Sequence, residues 1–215
     1  DRTMGIWEQP PPRFLDALQA EFGFDPPREH GLDTVDAIRA LRDGRARVFM
    51  ALGGNFISAT PDTAVTEAAM RNAALTVQVS TKLNRSHAIA GRDALILPTL
   101  GRTEIDRTGG IEQFVTVEDS MSAVHASRGP LEPASPHLRS EIDIVCSLAK
   151  VVLGHRHGIP WDAFLADYSE IRRRIGHVVA GCEAYDDKVR QPGGSVLPHG
   201  PRDTSTFATA TGRAE

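Results

Sequence analysis

Cysteine is scarce: Cys146 and Cys182 are the only two in 215 residues. That is too few for a disulfide framework, and neither sits in the CxxC spacing that holds zinc or an iron–sulfur cluster. No apolar run approaches the ~20 residues needed to span a bilayer. Neither sign of charge dominates, since 24 Lys and Arg stand against 28 Asp and Glu for a net charge of -4. That balance leaves no electrostatic footprint for nucleic acid or for an anionic membrane. Two phosphate-binding signatures are also missing. There is no GxGxxG after a strand pattern and no GxxxxGK followed by Ser or Thr, which excludes an ordinary NAD-binding domain and a P-loop. No internal repeat is visible. The chain begins at Asp1 without Met or a signal-peptide pattern and stops in polar sequence at 211–215. It is expected to be a cytoplasmic piece of a longer protein.

What is present fits a soluble globular chain with enough residues for a sizeable core: 40% are apolar and 24% charged, as in ordinary globular domains. Phe14, Leu15, Leu18 and Phe22 repeat at helical spacing after Pro10-Pro11-Pro12, and Gly23 stops them. Trp7 precedes that helix. Asp33 caps a second helix carrying Val35, Ile38 and Leu41, closed by Asp43-Gly44. Residues 46–52 are nearly all apolar and read as a strand buried on both faces of a parallel sheet. Thr60-Pro61-Asp62 opens a helix, with Thr60 as N-cap and Val65, Ala68 and Ala69 facing inward. Residues 75–79 alternate and read as a half-buried strand, and 94–97 form a third short strand ended by Pro98. This order implies an α/β fold with parallel neighbours and right-handed crossovers. Residues 113–118 and 123–126 read as a hairpin. Ser140 caps a helix with Ile142, Val145, Cys146, Ala149 and Val152 on one stripe. Residues 161–175 read as one further amphipathic helix. Residues 191–215 read as a linker or tail.

In open parallel sheets, ligands bind at the carboxyl ends of the strands. Three segments fall there: Gly53-Gly54-Asn55, Ser80-Thr81-Lys82-Leu83-Asn84, and Pro98-Thr99-Leu100-Gly101-Arg102. Glycines let backbone amides approach a phosphate or sugar, and Asn both donates and accepts. A simple turn is the competing reading of Gly53-Gly54-Asn55. His155 and His157, two residues apart, lack a third ligand nearby and read as a polar loop. His125 and His137 read as hydrogen-bonding side chains. Glu104, Asp106, Glu118 and Asp119 read as a solvated acidic rim, Cys146 as a buried inert thiol, and Arg172-Arg173-Arg174 as the solvent face of a helix.

The run Val48-Phe49-Met50-Ala51-Leu52-Gly53-Gly54-Asn55-Phe56, followed by Thr60-Pro61-Asp62, resembles a segment of the molybdopterin-guanine-dinucleotide oxidoreductases. In those enzymes a strand runs into Gly-x-Asn, usually followed by Pro. Residues 75–80, Ala94-Leu95-Ile96-Leu97-Pro98, Val117-Glu118-Asp119 and Thr209-Ala210-Thr211-Gly212-Arg213-Ala214 continue the likeness in order. With Arg2-Thr3-Met4-Gly5 and Leu83-Asn84-Arg85-Ser86-His87, the pattern is similar to the formate-dehydrogenase-alpha branch. The resemblance implies a Rossmann-like sheet with an appended hairpin and C-terminal helices. It divides the chain into the C-terminal half of a dinucleotide-binding domain over 1–153, a helical extension over 154–190 and a linker over 191–215. It further implies that Gly53, Gly54 and Asn55 line the ribose and pyrophosphate of one pterin dinucleotide, while Ser80, Thr81, Lys82 and Asn84 approach its guanosine end. The full-length enzyme would hold molybdenum or tungsten between two such dinucleotides and act on a small molecule such as formate. An iron–sulfur cluster belongs to an N-terminal part not present here, and other domains of the same polypeptide are the partners. None of the 215 positions matches a catalytic or metal-ligating residue of that family. Ser80 stands where the family often has Asp, which leaves Asp93 and Glu104 as alternative carboxylates for guanine. A stand-alone nucleotide-binding or interaction module and a different nucleotide-dependent enzyme are the competing functions.

Overall fold

The computed structural model describes residues 9–154 and 156–214. Trp7, the stretch 2–5 and His155 lie outside the described residues.

Helix α1 (Pro12–Phe22) starts with Pro12 in its first turn, where a missing N–H costs no hydrogen bond. Helix α2 (Thr34–Arg42) begins at Asp33, whose carboxylate accepts from the Asp36 amide at 2.8 Å. Strands β1 (Val48–Leu52), β2 (Leu75–Ser80) and β3 (Asp93–Pro98) follow, all parallel, in the spatial order β1-β2-β3. The three expected strands are therefore neighbours with the expected sense. Their burial is distributed differently. The apolar run at β1 is not buried on both faces, because Val48 and Leu52 are 61% and 48% exposed. The most buried strand is β2, which the alternation marked as half-buried. As the middle strand it has a neighbour along each edge.

Between β1 and β2 lie a short helix α3 (Phe56–Ala59) and helix α4 (Thr63–Arg71). Asp62, not Thr60, caps α4, accepting from the Val65 amide at 3.0 Å. Thr66, Ala69 and Met70 face the core, and Val65 turns outward. Thr66 is inside because its hydroxyl is satisfied there, 2.8 Å from Thr60 Oγ1 and 2.8 Å from the Asp62 carbonyl. The first core joins Ile38 and Leu41 of α2 to Ile57 of α3, Met70 of α4 and Ile89, with Phe49 of β1 packed against it.

The expected hairpin is present as β4 (Val115–Glu118) and β5 (Ala123–Ser127), antiparallel. A third strand, β6 (Ser195–Val196), pairs with β5. It comes from the stretch read as a linker. Leu197 beside it is buried, so this stretch is anchored. Helix α5 (Glu141–Leu153) is capped by Ser140 as expected. Only Cys146 of its apolar stripe is buried, while Val145 and Val152 are exposed. Residues 161–175 form two helices, α6 (Trp161–Ala166) and α7 (Ser169–Val178). Asp167 breaks them, because its carboxylate accepts from the Ser169 amide at 2.8 Å and restarts the chain. Helices α8 (Tyr185–Arg190) and α9 (Gly200–Thr204) complete the described chain.

A second core gathers Val124 of β5, Val179, Cys182, Tyr185 and Val189 of α8, and Leu197. Arg172 corrects the reading of the triple arginine as a solvent face. It is 5% exposed, bonded to Asp186 and to the Phe114 carbonyl at 2.9 Å, and stacked 3.7 Å from the Phe114 ring centroid. Helical spacing cannot reveal this, because the partner carboxylate arrives from another helix.

Candidate cofactor-binding edge

The fold brings the three polar segments to the carboxyl ends of adjacent strands. Gly53 continues β1, and its amide donates to the Val79 carbonyl at 2.8 Å. Gly53 and Gly54 both have positive φ, 68° and 76°, and a Cβ at either would meet nothing within 4 Å. A positive φ here explains why Gly is used. The empty space beside both α-carbons is a place where a ligand can approach the backbone. Among the described residues, the amides of Gly54 and Asn55 donate to no protein acceptor.

The two asparagines also tie the loops to each other. Asn84 donates through Nδ2 to the Gly54 carbonyl at 2.8 Å and accepts through Oδ1 from the Ser86 amide at 2.9 Å. Asn55 Oδ1 accepts from the Ser86 hydroxyl at 2.9 Å, and that hydroxyl in turn accepts from the Ile57 amide at 3.0 Å. Gln78 of β2 donates to the Ser86 carbonyl at 2.9 Å. Ser86, 3% exposed, is thus the knot that ties the loop after β1 to the loop after β2. Sequence reasoning missed Ser86 and Gln78. The available signal was the alternation of β2, which sets Thr76, Gln78 and Ser80 on one face. The Nε2 of His87 is buried with no partner among the described residues, while its Nδ1 accepts from the Asn84 amide at 3.0 Å.

Ser80 donates to the Lys82 carbonyl at 2.8 Å, which closes the turn after β2. Lys82 and Thr81 are exposed beside it. At the third segment, Thr99 is buried and bonds the Arg139 carbonyl at 2.7 Å. Glu104 is committed to structure: its two oxygens accept from the amides of Gly101 at 2.7 Å and Ala134 at 2.8 Å. These backbone donors hold its carboxyl below the ordinary glutamate range. Asp93 stands at the first residue of β3, the opposite end of the sheet. Asp93 is therefore at the wrong end of the sheet to stand in for an Asp at position 80, while Glu104 already accepts one amide at each oxygen.

The other acidic and basic candidates resolve individually. Asp106 accepts from the Tyr168 hydroxyl at 2.7 Å and from Thr108 Oγ1 at 2.6 Å. It is a structural member of a buried network, so the solvated-rim reading fails for it and for Glu104. His125 sits 3.2 Å from Asp119 at the hairpin. His157 packs its ring 5.1 Å from that of Phe24. Burial raises the Cys146 thiol above its ordinary range, as expected for an inert thiol. A cavity of about 130 Å³ takes in Gly101, Arg102, Glu104, Ser127 and Arg128. It includes neither 53–55 nor 80–82, so it is separate from the edge formed by the first two loops.

No family model matches the chain. Among curated proteins, an uncharacterized oxidoreductase of Mycobacterium tuberculosis is 62% identical over 214 residues, covering all of this chain and 28% of that protein. Protein YdeP of Escherichia coli K12 is 39% identical over 223 residues, again across the whole chain and 29% of its own length. The chain therefore spans little more than a quarter of the curated relatives it matches.

Proposed function

We propose that this chain is part of an oxidoreductase resembling the formate-dehydrogenase-alpha branch, and that its sheet edge holds one pterin dinucleotide of a molybdenum or tungsten cofactor. The observation that carries the reading is the Gly53-Gly54-Asn55 loop, with open space over both glycine α-carbons and two amides that donate to no acceptor among the described residues. Phosphate and ribose oxygens accept from such amides. The relatives named oxidoreductases support the redox class.

The residues present fit the pyrophosphate and ribose side of such a group. On the base side they offer the Ser80 hydroxyl, Thr81 and the Lys82 ammonium. A guanine edge presenting two N–H donors would lack a carboxylate acceptor at Ser80. When bound, the group supplies the two-electron chemistry, and the protein supplies position and electrostatics. In this reading Gly54 and Asn55 donate backbone amides, Gly53 leaves room for the ligand, Lys82 adds positive charge, and Asn84 and Ser86 hold the loop still. The iron–sulfur cluster, the metal ligand and the small-molecule substrate, of which formate is the proposed example, belong to other parts of the full-length polypeptide. So does catalysis, and the isolated 215 residues should be inactive.

The test is pterin and metal stoichiometry of the full-length protein beside its melting curve. Gly53→Val should lower cofactor content. Gly44→Val, at a comparable φ of 71° with equally open space, controls for backbone strain and should not. Asn84→Ala, which frees the Gly54 carbonyl, should weaken cofactor binding by about 1–3 kcal/mol. Full pterin and metal occupancy in both Gly53→Val and Asn84→Ala would show that the edge lies elsewhere.

A further inference from the structure

Three arginines with unused donors line a second cavity, of about 440 Å³, between the hairpin and the helices packed on it. They come from three separate elements: Arg128 directly after β5, Arg172 of α7 and Arg190 at the end of α8. None of 53–55 or 80–84 lines this cavity. Two of the guanidiniums are held in place by the protein. Arg172, 5% exposed, bonds Asp186 through Nε and the Phe114 carbonyl through Nη1. Arg190 bonds the same carboxylate through Nε at 3.0 Å and Nη2 at 3.3 Å. Both also stack on the Phe114 ring, 3.7 and 4.9 Å from its centroid. These bonds leave Nη2 of Arg172 and Nη1 of Arg190 without an acceptor among the described residues. Arg128 is exposed and makes no hydrogen bond or ion pair among the described residues.

The two carboxylates on the cavity wall are engaged elsewhere. Asp167 accepts from the Ser169 amide at 2.8 Å, and Glu112 lies 4.0 Å from Arg107. With Asp186 behind the wall, three acidic groups balance the three arginines in formal charge. Selection therefore rests on directed donors and not on a diffuse positive field. A guanidinium presents its N–H groups in a rigid planar fork, which matches a group with two or more oxygens on one centre. Donors already fixed by stacking and ion pairing lose little freedom on binding. The volume falls within the range of small-molecule sites, and the Phe114 ring offers an apolar surface for the body of the molecule.

We propose that this cavity binds the oxyanion group of a small molecule, a carboxylate or a phosphate, between Arg128, Arg172 and Arg190. Arg172 and Arg190 supply the pre-set donors at the back, and Arg128 closes on the ligand from the hairpin side. The proposal does not rest on the cofactor reading. It requires only the three guanidiniums, their unused N–H groups and the space between them.

Calorimetric titration of the full-length protein with inorganic phosphate and, separately, with benzoate tests it, at fixed ionic strength. At least one probe should bind saturably, and the tighter of the two identifies the kind of oxyanion. Arg128→Gln removes a side chain with no protein partner, so the melting temperature should hold while binding weakens by about tenfold or more. Arg128 also lines the smaller cavity of about 130 Å³, so two further variants assign the site. Arg190→Lys keeps the charge but loses the fork, and it should weaken binding too. Arg102→Gln, which touches only the smaller cavity, should leave binding unchanged. No saturable binding of either probe would overturn the proposal. So would binding that survives Arg128→Gln, or an equal loss in Arg102→Gln, which would put the anion in the smaller cavity or in the general field of the surface.

Discussion

The sheet layer and the hairpin-and-helix region handle their polar groups in opposite ways. Around the hairpin, buried polarity is closed on itself. Tyr168, 1% exposed, links Asp106 and Ser140, while Gln113 bonds both the Thr108 and Ala166 carbonyls. Arg172 and Arg190 share Asp186. Burial drives the Tyr168 hydroxyl far above its ordinary pKa, so it remains a protonated donor. Burial also works against ionised Asp186, but bonds from Arg190 and Arg172 outweigh it and hold the carboxyl low. In the sheet layer, the buried Gln78 and Ser86 and the half-buried Asn84 instead hold two loops at an edge. One region closes its buried polar groups on one another, and the other uses them to fix two loops at the carboxyl edge of the sheet.

The largest expected effect lies in the closed region. Asp186→Ala strands the buried Arg172 guanidinium and should cost about 3–5 kcal/mol in denaturant unfolding. Asp186→Leu with Arg172→Met should recover most of that. A small loss in the single variant would show that water reaches Arg172 and that this region is open too.

An intermediate effect separates the two faces of the sheet. Ile57→Ala removes a fully buried side chain from the covered side and should cost about 2–5 kcal/mol. Leu95→Ala should cost about 0.5 kcal/mol or less in the 215-residue chain, where Leu95 faces solvent. A cost at Leu95 as large as that at Ile57 would remove the distinction.

The smallest effect lies at the seam. Glu104 accepts amides from Gly101, after β3, and from Ala134, before α5. Its pKa is depressed in the folded state, so its stabilisation is fully present above the ordinary glutamate value of 4.5. It is lost as pH falls through the lower folded value. Glu104→Gln should flatten the acid limb of the melting temperature below that pH and lower the plateau near neutrality. An unchanged acid limb would show that the bonds do not depend on charge.

These regions also differ in how much the sequence reveals. The three parallel strands, the Asp33 and Ser140 caps and the hairpin are legible, because each is written in local periodicity or in one capping residue. The three loops at the carboxyl edge follow from topology alone. What stays hidden depends on partners far along the chain. Arg172 looks solvated until Asp186 is placed beside it, and Glu104 looks like rim until two amides from separate loops meet it. Residues 195–197 look like linker until β5 offers them a free edge. Asn55 and Asn84 lie at the carboxyl edge where the strand order places them, but their clamp through Ser86 joins positions about 30 apart that no periodicity connects.

The pairing of β6 with β5 also has a consequence in time. Strand β5 ends at Ser127 and its partner begins at Ser195. During synthesis at about 5–20 residues per second, the outer edge of the hairpin emerges several seconds before the strand that covers it. Through that interval its unpaired amides and carbonyls are open to any extended segment nearby. A ribosome pausing between these two strands would prolong that exposure, and one translating quickly through α5 to α8 would shorten it.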